Sequence, residues 1–224
     1  MIKISKRLEA ISSLVPNNSK VIDVGCDHGL LSIYLYQQKI SNKIIASDIN
    51  ENALNNAKEN IQKNKLEEHI EIRLGNGLDP LNDTDEIDTV IISGMGAHTI
   101  VDIIKNNLNK LKKINNIIIQ SNTKLEYLRK ELTKLNYIID DELILEENKK
   151  IYTIIKFKKG VKKYSKKELY FGPILLKKNT ELFKNNNQNE QYKLELLLKK
   201  LPKNKIIDRF KIRKKLQMYK QIQK

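Results

Sequence analysis

Val21-Ile22-Asp23-Val24-Gly25-Cys26-Asp27-His28-Gly29-Leu30-Leu31 carries a short apolar strand through a glycine turn and straight into a helix. Strand, tight turn and helix in immediate succession make the first unit of a nucleotide-cofactor fold. The turn is not the dinucleotide one. In G-x-G-x-x-G the middle glycine lets the backbone approach a pyrophosphate, and at that place this chain has Asp27. A carboxylate there would repel two phosphates. The same carboxylate suits S-adenosylmethionine, which carries a sulfonium and an ammonium and no phosphate. The turn therefore points to methyl transfer and away from hydride transfer by a nicotinamide cofactor.

Working outward, apolar strand-like runs at 20–24, 43–47, 69–74, 88–93, 115–120, 137–146 and 151–158 alternate with helical segments. The helices are expected near 29–38, 51–63, 97–108 and 122–134, after an opening helix near 4–14 with Leu8, Ile11 and Leu14 on one face. Such alternation predicts a parallel sheet with helices on both faces. Only Glu147 to Lys150 separates the last two runs, too short for a helical crossover, so they should form an antiparallel hairpin. The expected fold class is α/β: a Rossmann-like class I methyltransferase sheet with a C-terminal antiparallel hairpin, spanning residues 1–160.

Ligands of open α/β sheets bind outside the carboxyl ends of the strands, and five stretches fall there. In the first turn, Gly25 permits close approach, the helix start at Gly29 offers amides to the cofactor carboxylate, and Asp23 and Asp27 are placed to accept from its ammonium. Asp48, followed by Ile49, stands 23 positions after Gly25 and is placed to grip the ribose hydroxyls; it equally reads as the N-cap of the helix near Glu51. Asn76 and Gly77, after the third strand, suit the edge of the adenine ring or a bare turn. Ser93, Gly94 and Met95 end the fourth strand, where a wall between cofactor and a flat target base belongs, or a plain strand-to-helix turn. Gln120-Ser121-Asn122 ends the fifth, with Asn122 also readable as a helix cap. The catalytic candidates are Asp27, His28 and Met95. His69 and His98 read as ordinary surface or helix-start residues, and no spacing resembles a metal site, so no metal is expected.

Charge divides the chain unevenly. Residues 161–224 hold 19 Lys+Arg against 5 Asp+Glu, a net of +14 out of +15 for the whole chain. Enrichment in Lys, Asn and Ile throughout fits a compositional bias, yet bias alone spreads lysine evenly. A basic segment on a neutral body suits an anionic polymer, bound by releasing counterions. Helical spacing at Glu168 to Lys184, Gln191 to Leu201 and about 204–222 predicts a small helical domain over 161–224, with Asn185-Asn186-Asn187 breaking its first helix and Pro202 ending its second. Ile206, Ile207, Phe210, Ile212 and Leu216 in the third are expected to pack on a neighbouring helix. Cys26 is the single cysteine, which excludes an intrachain disulfide and suits a reducing cytosol. No apolar run suggests a leader or a membrane span, so a cytoplasmic monomer is expected.

Taken together these residues resemble one family, the bacterial tRNA (adenine-22, N1)-methyltransferases. The resemblance runs through Arg7-Leu8, Asp23-Val24-Gly25-Cys26-Asp27-His28-Gly29, Arg73-Leu74-Gly75-Asn76-Gly77-Leu78, Ser93-Gly94-Met95-Gly96, Asn122, Ile151-Tyr152 and Tyr170-Phe171-Gly172-Pro173. It implies a methyltransferase domain followed by a coiled-coil-like helical domain, with S-adenosylmethionine as cofactor and tRNA as partner. The chain departs from the family pattern at Ser121, where proline is usual, at Ala97, where another glycine is usual, and at Asp48-Ile49-Asn50-Glu51-Asn52, where an acid and Gly-Pro are common. N1 of adenine already has a lone pair, so no base is needed to create the nucleophile; positioning and exclusion of water supply most of the acceleration. Other readings are a methyltransferase for a small molecule or protein, and an RNA-binding module with a vestigial cofactor site.

Overall fold

A computed structural model describes residues 2–222; Met1, Gln223 and Lys224, at the outer ends of the two expected domains, lie outside the described residues. The chain divides into two compact units, Met1–Lys163 and Tyr164–Lys224. Among the described residues of the first, α1 (Lys6–Ser12), β1 (Lys20–Val24), α2 (Leu30–Gln37), β2 (Lys43–Asp48), α3 (Glu51–Lys63) and β3 (Ile70–Leu74) precede β4 (Thr89–Met95), α4 (Ala97–Asn106), β5 (Asn116–Ser121), α5 (Leu125–Lys134), β6 (Tyr137–Glu147) and β7 (Lys150–Lys159). The seven strands form one sheet in the order β3-β2-β1-β4-β5-β7-β6. The first five are parallel, and β7 inserts antiparallel between β5 and its hairpin partner β6.

Both sheet faces are covered. Val21, Ile44, Ala46, Ile91, Ile118 and Ile154 pack in one cluster with Ile11, Leu31, Leu35, Leu54 and Ile61 of α1 to α3. The residues between them in sequence, Ile22, Ile45, Ile92, Ile117, Ile119 and Ile155, are buried as well. Strands buried on both sides read as continuous apolar runs, which is how they stand out in this sequence. Order reverses between β1 and β4, so the right-handed crossovers on the two sides place their helices on opposite faces and open a crevice at the carboxyl ends of these strands.

Between β3 and β4 the chain crosses without an α-helix. Arg73 holds that loop instead: its guanidinium donates to Asp85 at 2.5 and 2.7 Å and to the Pro80 carbonyl at 2.8 Å. That bidentate hydrogen bond keeps the Asp85 carboxyl below its usual range, against a smaller opposing effect of burial. At the far edge, Arg129 of α5 and Glu142 of β6 form a buried ion pair at 2.7 Å, 1 % and 0 % exposed.

The second unit contains α6 (Lys166–Phe171), α7 (Pro173–Lys178), α8 (Glu181–Lys200) and α9 (Ile206–Lys220). Here the helix boundaries differ from expectation. The helix expected over Glu168 to Lys184 is cut at Gly172-Pro173 and again at Asn179, while α8 runs unbroken through Asn185-Asn186-Asn187. Asparagine in a helix costs only about 0.7 kcal/mol against alanine, and burial of Phe183, one turn before the end of the triplet, holds the helix across it. Ser165 and Glu168 cap α6 reciprocally, and Arg209 of α9 donates to the Leu198 carbonyl of α8 at 2.9 Å. Phe171, Leu175, Phe183, Ile212, Leu216 and Tyr219 are buried. Ile206, Ile207 and Phe210, expected to pack on a neighbouring helix, are exposed, Phe210 by 64 %. They occupy the first turn of α9 and the residue just beyond it, whereas the buried apolar residues of that helix begin at Ile212.

Candidate active site

A cavity of about 350 Å³ opens at the carboxyl edge of β1, β2 and β4. It is lined by Asp23, Gly25, Asp27, His28, Asp48, Ser93, Gly94 and Met95 of the expected site residues, with Arg7 and Leu8 of α1 added. Gly29, Ile49, Asn76 and Gly77 are not in that lining. Gly29 is the N-cap of α2 and faces Ala57 of α3. Ile49 and Asn76 are exposed and follow the paired strand ends Asp48 and Leu74; the Gly75 amide donates to the Asp48 carbonyl at 2.9 Å. They sit beside the cavity at its β2–β3 rim.

The turn is fixed by short backbone bonds. The Gly25 and Cys26 amides both donate to the Ser47 carbonyl, at 2.8 and 3.0 Å. Gly25 has φ +74°, and a side chain there would collide with the methyl end of Met95, so glycine lets the thioether close against the turn. Asp27 also has positive φ, 50°, a conformation aspartate tolerates better than most residues. Its amide donates to Asp48 Oδ2 at 3.2 Å, and the Asn50 amide donates to Asp48 Oδ1 at 3.0 Å. Asn50 caps α3, so Asp48 is not the cap. Each of its oxygens keeps a free lone pair, enough to accept two hydroxyls.

Asp23 lies on the α2 side of β1, buried, with Ser32 Oγ donating to Oδ2 at 3.0 Å. Burial raises its pKa to about 6, the Ser32 hydrogen bond and Arg7 opposing and Asp48 adding to the shift. Asp27 Oδ2 lies 3.6 Å from His28 Nε2 at the open mouth. Burial, with Asp23 and Asp48 behind it, pushes the Cys26 thiol up; as a protonated packing residue it is no nucleophile.

The wall opposite is a closed hydrogen-bonded ring that sequence reasoning did not anticipate. Gln120 Oε1 accepts from Arg7 Nη1 at 3.0 Å and from the Gly94 amide at 3.1 Å. Gln120 Nε2 donates to Asn122 Oδ1 at 3.0 Å, and Asn122 Nδ2 returns to the Gly94 carbonyl at 2.9 Å. Asn122 is therefore not the cap of α5. Gly94, at φ +80°, is the extra residue of a bulge where the β4–β5 register shifts, a device that re-aims a strand end beside a site. Ser121 Oγ lies 3.1 Å from the Met95 carbonyl, a bond proline could not make, so the departure at this position ties the wall in its own way. Arg7 is further held 5.8 Å from the Tyr152 ring centroid, within cation–π range. Its signal was legible: a lone arginine one turn before Ile11, on the buried stripe of α1. Nearby, His98 stacks at a tilt on Tyr127 with Lys124 Nζ 2.9 Å from its ring; His69 stacks on Tyr36 and is structural.

Among the described residues, no three His, Cys, Asp or Glu side chains are grouped to hold a metal ion, and no helix is long and apolar enough to cross a membrane. A family model described as tRNA (adenine(22)-N(1))-methyltransferase matches residues 21–223. The Bacillus subtilis protein of that description is 33% identical over 154 residues, 69% of this chain, and the chain spans 64% of its length. A Streptococcus pneumoniae structure solved in complex with S-adenosyl-L-methionine superimposes with a TM-score of 0.91 at 34% identity, covering 98% of this chain and 99% of that one. A Mycoplasma capricolum structure, named TrmK and bound to S-adenosyl-homocysteine, gives 0.88 at 31% identity over 97% and 96%.

Proposed function

The chain belongs to the tRNA (adenine(22)-N(1))-methyltransferase family, and from that premise we propose that the acid-lined cavity transfers a methyl group from S-adenosylmethionine to N1 of adenosine 22 in tRNA. The observation that carries the reading is the charge of the cavity: Asp23, Asp27 and Asp48 face one arginine, Arg7. The cofactor is the complement of that set, with two positive centres and one carboxylate. Asp23 and Asp27 receive the ammonium, Arg7 and the amides at the start of α2 the carboxylate, and the free lone pairs of Asp48 the ribose hydroxyls. Ile49, 69 % exposed, and the exposed Leu74 gain a reason to stand at the rim: a flat adenine ring between them covers both, with Asn76 and Gly77 at its edge.

When bound, S-adenosylmethionine supplies an electrophilic methyl that the N1 lone pair takes while the carbon–sulfur bond breaks, leaving S-adenosylhomocysteine and a cationic base. Residues of the chain act by position. The ring joining Arg7, Gln120, Asn122 and Gly94 holds Ser93 to Met95 as a fixed wall, and Met95 offers an apolar face to the target base while excluding water. Asp27, paired with His28 at the mouth, faces the positive charge that develops on adenine. The target base must leave its stack to reach this depth, and the +14 of residues 161–224 grips the tRNA backbone while it does. On this reading residues 1–160 bind cofactor and residues 161–224 bind tRNA, in a cytoplasmic monomer.

Labelled S-adenosylmethionine, incubated with tRNA transcripts carrying adenosine or guanosine at position 22, tests the proposal. Label should enter the adenosine transcript alone. Equal incorporation in both would overturn the stated specificity, and failure to bind the cofactor by calorimetry would overturn the enzyme.

A further inference from the structure

Arg7 shares its cavity with Asp23, Asp27 and Asp48, yet among the described residues it forms an ion pair with none of them. Its guanidinium makes one hydrogen bond there, from Nη1 to Gln120 Oε1 at 3.0 Å, so the remaining N–H groups of the fork are left for a ligand. An arginine beside three carboxylates is drawn toward them by Coulomb attraction. Something must hold it off. Gln120 supplies one hold, through a neutral amide. The other is the ring of Tyr152, whose centroid lies 5.8 Å from the guanidinium carbon, within cation–π range.

The hairpin brings Tyr152 to this place. The β5–β7 ladder ends at the Gln120–Ile154 pair, while β6 and β7 go on pairing beyond it, through Leu145–Tyr152 to Glu147–Lys150. Tyr152 lies two residues from Ile154 and so on the same face of the strand, the face on which Ile154 shares a cluster with Ile11 of α1. At the tip, Glu147 Oε1 accepts from the Lys6 amide at 2.7 Å. Lys6 opens α1, so its amide is one that the helix leaves unpaired, and a carboxylate suits that end of the helix dipole. The hairpin therefore grips α1 at two successive residues, Lys6 by its backbone and Arg7 by its side chain. We propose that Tyr152 is a positioning residue: its ring keeps the Arg7 guanidinium off the three aspartates and free for the cofactor carboxylate, while Glu147 fixes the helix that carries it. This rests on the reading that Arg7 receives that carboxylate. Without the ring, Arg7 swings to an aspartate and its donors are taken up there.

Two ligands test this by calorimetry on the full-length protein: S-adenosylmethionine, and its decarboxylated analogue, which keeps the sulfonium and the ammonium. The readout is the ratio of the two affinities, the preference for a carboxylate. Arg7→Ala should remove most of the wild-type preference. Tyr152→Leu should cut it about 5-fold, the effect of one cation–π contact, with affinity for the analogue near that of the wild type. Tyr152→Phe keeps the ring and should stay within about 2-fold of the wild type. Glu147→Ala, at the exposed tip, should lower the preference about 2-fold. Equal weakening of both ligands by Tyr152→Leu makes the side chain a packing element, and a loss as large in Tyr152→Phe assigns the effect to the hydroxyl; either overturns the proposal. Should Tyr152→Leu not fold, a full preference in Glu147→Ala overturns it instead. Arg7→Ala that keeps the preference defeats the carboxylate reading and the proposal with it. Arg7→Ala that loses it while Tyr152→Leu keeps it defeats the proposal alone.

Discussion

The two units of this chain solve the same problem, covering apolar surface, to very different degrees. In the first, helices cover a sheet that is buried on both faces, and an acid-lined slot opens where its strands end. In the second, α8 and α9 bury only a few side chains and leave Phe210 and its neighbours in solvent, amid nearly all of the excess positive charge. A region with a deep core can offer function in a cavity at the ends of its strands. A region with a thin core has mainly its charged surface to offer.

The comparison can be broken first at the core of the sheet unit. Arg129→Met removes one partner of a fully buried pair, leaving the Glu142 carboxylate uncompensated. The expected loss is about 3–5 kcal/mol, read as a lower denaturation midpoint, while the cofactor affinity of the folded fraction stays near that of the wild type. A wild-type midpoint would mean that this pair contributes nothing to the edge of the sheet.

Arg7→Ala comes next. It removes the one arginine of the cavity and the donor that anchors Gln120, so cofactor affinity by calorimetry should fall about 30- to 100-fold, in line with a charged hydrogen bond and a broken network. An unchanged affinity would place the cofactor carboxylate elsewhere.

On the other side of the comparison, replacing Lys211, Lys214 and Lys215 of α9 together with glutamine should leave cofactor affinity alone. Affinity for tRNA should weaken about 10-fold, with a shallower salt dependence. Unaltered tRNA binding would separate the charge of this unit from its use.

The smallest effect sharpens the first unit. Asp23 titrates at about 6, above its ordinary 3.8. The folded protein therefore holds a proton through the interval between these values that the unfolded chain has released, and this group's contribution to stability falls as pH rises through it. An ammonium prefers the ionised form, so cofactor affinity should climb about 10-fold between pH 5 and pH 7 and level off above. Asp23→Asn should flatten that profile; the same slope in the variant would assign the titration to another group.

Legibility in the sequence followed the same divide. Strands buried on both faces announced themselves as apolar runs, and Asp23, Gly25, Asp27, Asp48 and Met95, expected at the ends of such strands, line one cavity there. The wall was harder to see. Gln120, Asn122, Gly94 and Arg7 come from three distant segments, and only folding reveals that the first three close one ring and that the guanidinium anchors it. In the helical unit, a run of asparagines looked like a break because propensity was weighed without the burial of Phe183, whereas the Gly172-Pro173 pair that does break the helix was read only as part of a motif. Ile206, Ile207 and Phe210 satisfied the period of a packed face, and periodicity carries no information about whether a partner is there.

Cys26 sits in the turn between Gly25 and Gly29, its thiol held protonated by burial and by Asp23 and Asp48. Oxidants attack thiolates, so the one sulfur atom able to form a sulfenic acid at this site is kept in its unreactive form. On the proposed function, methylation should then follow the supply of cofactor and of tRNA through an oxidative burst, without a redox brake at Cys26.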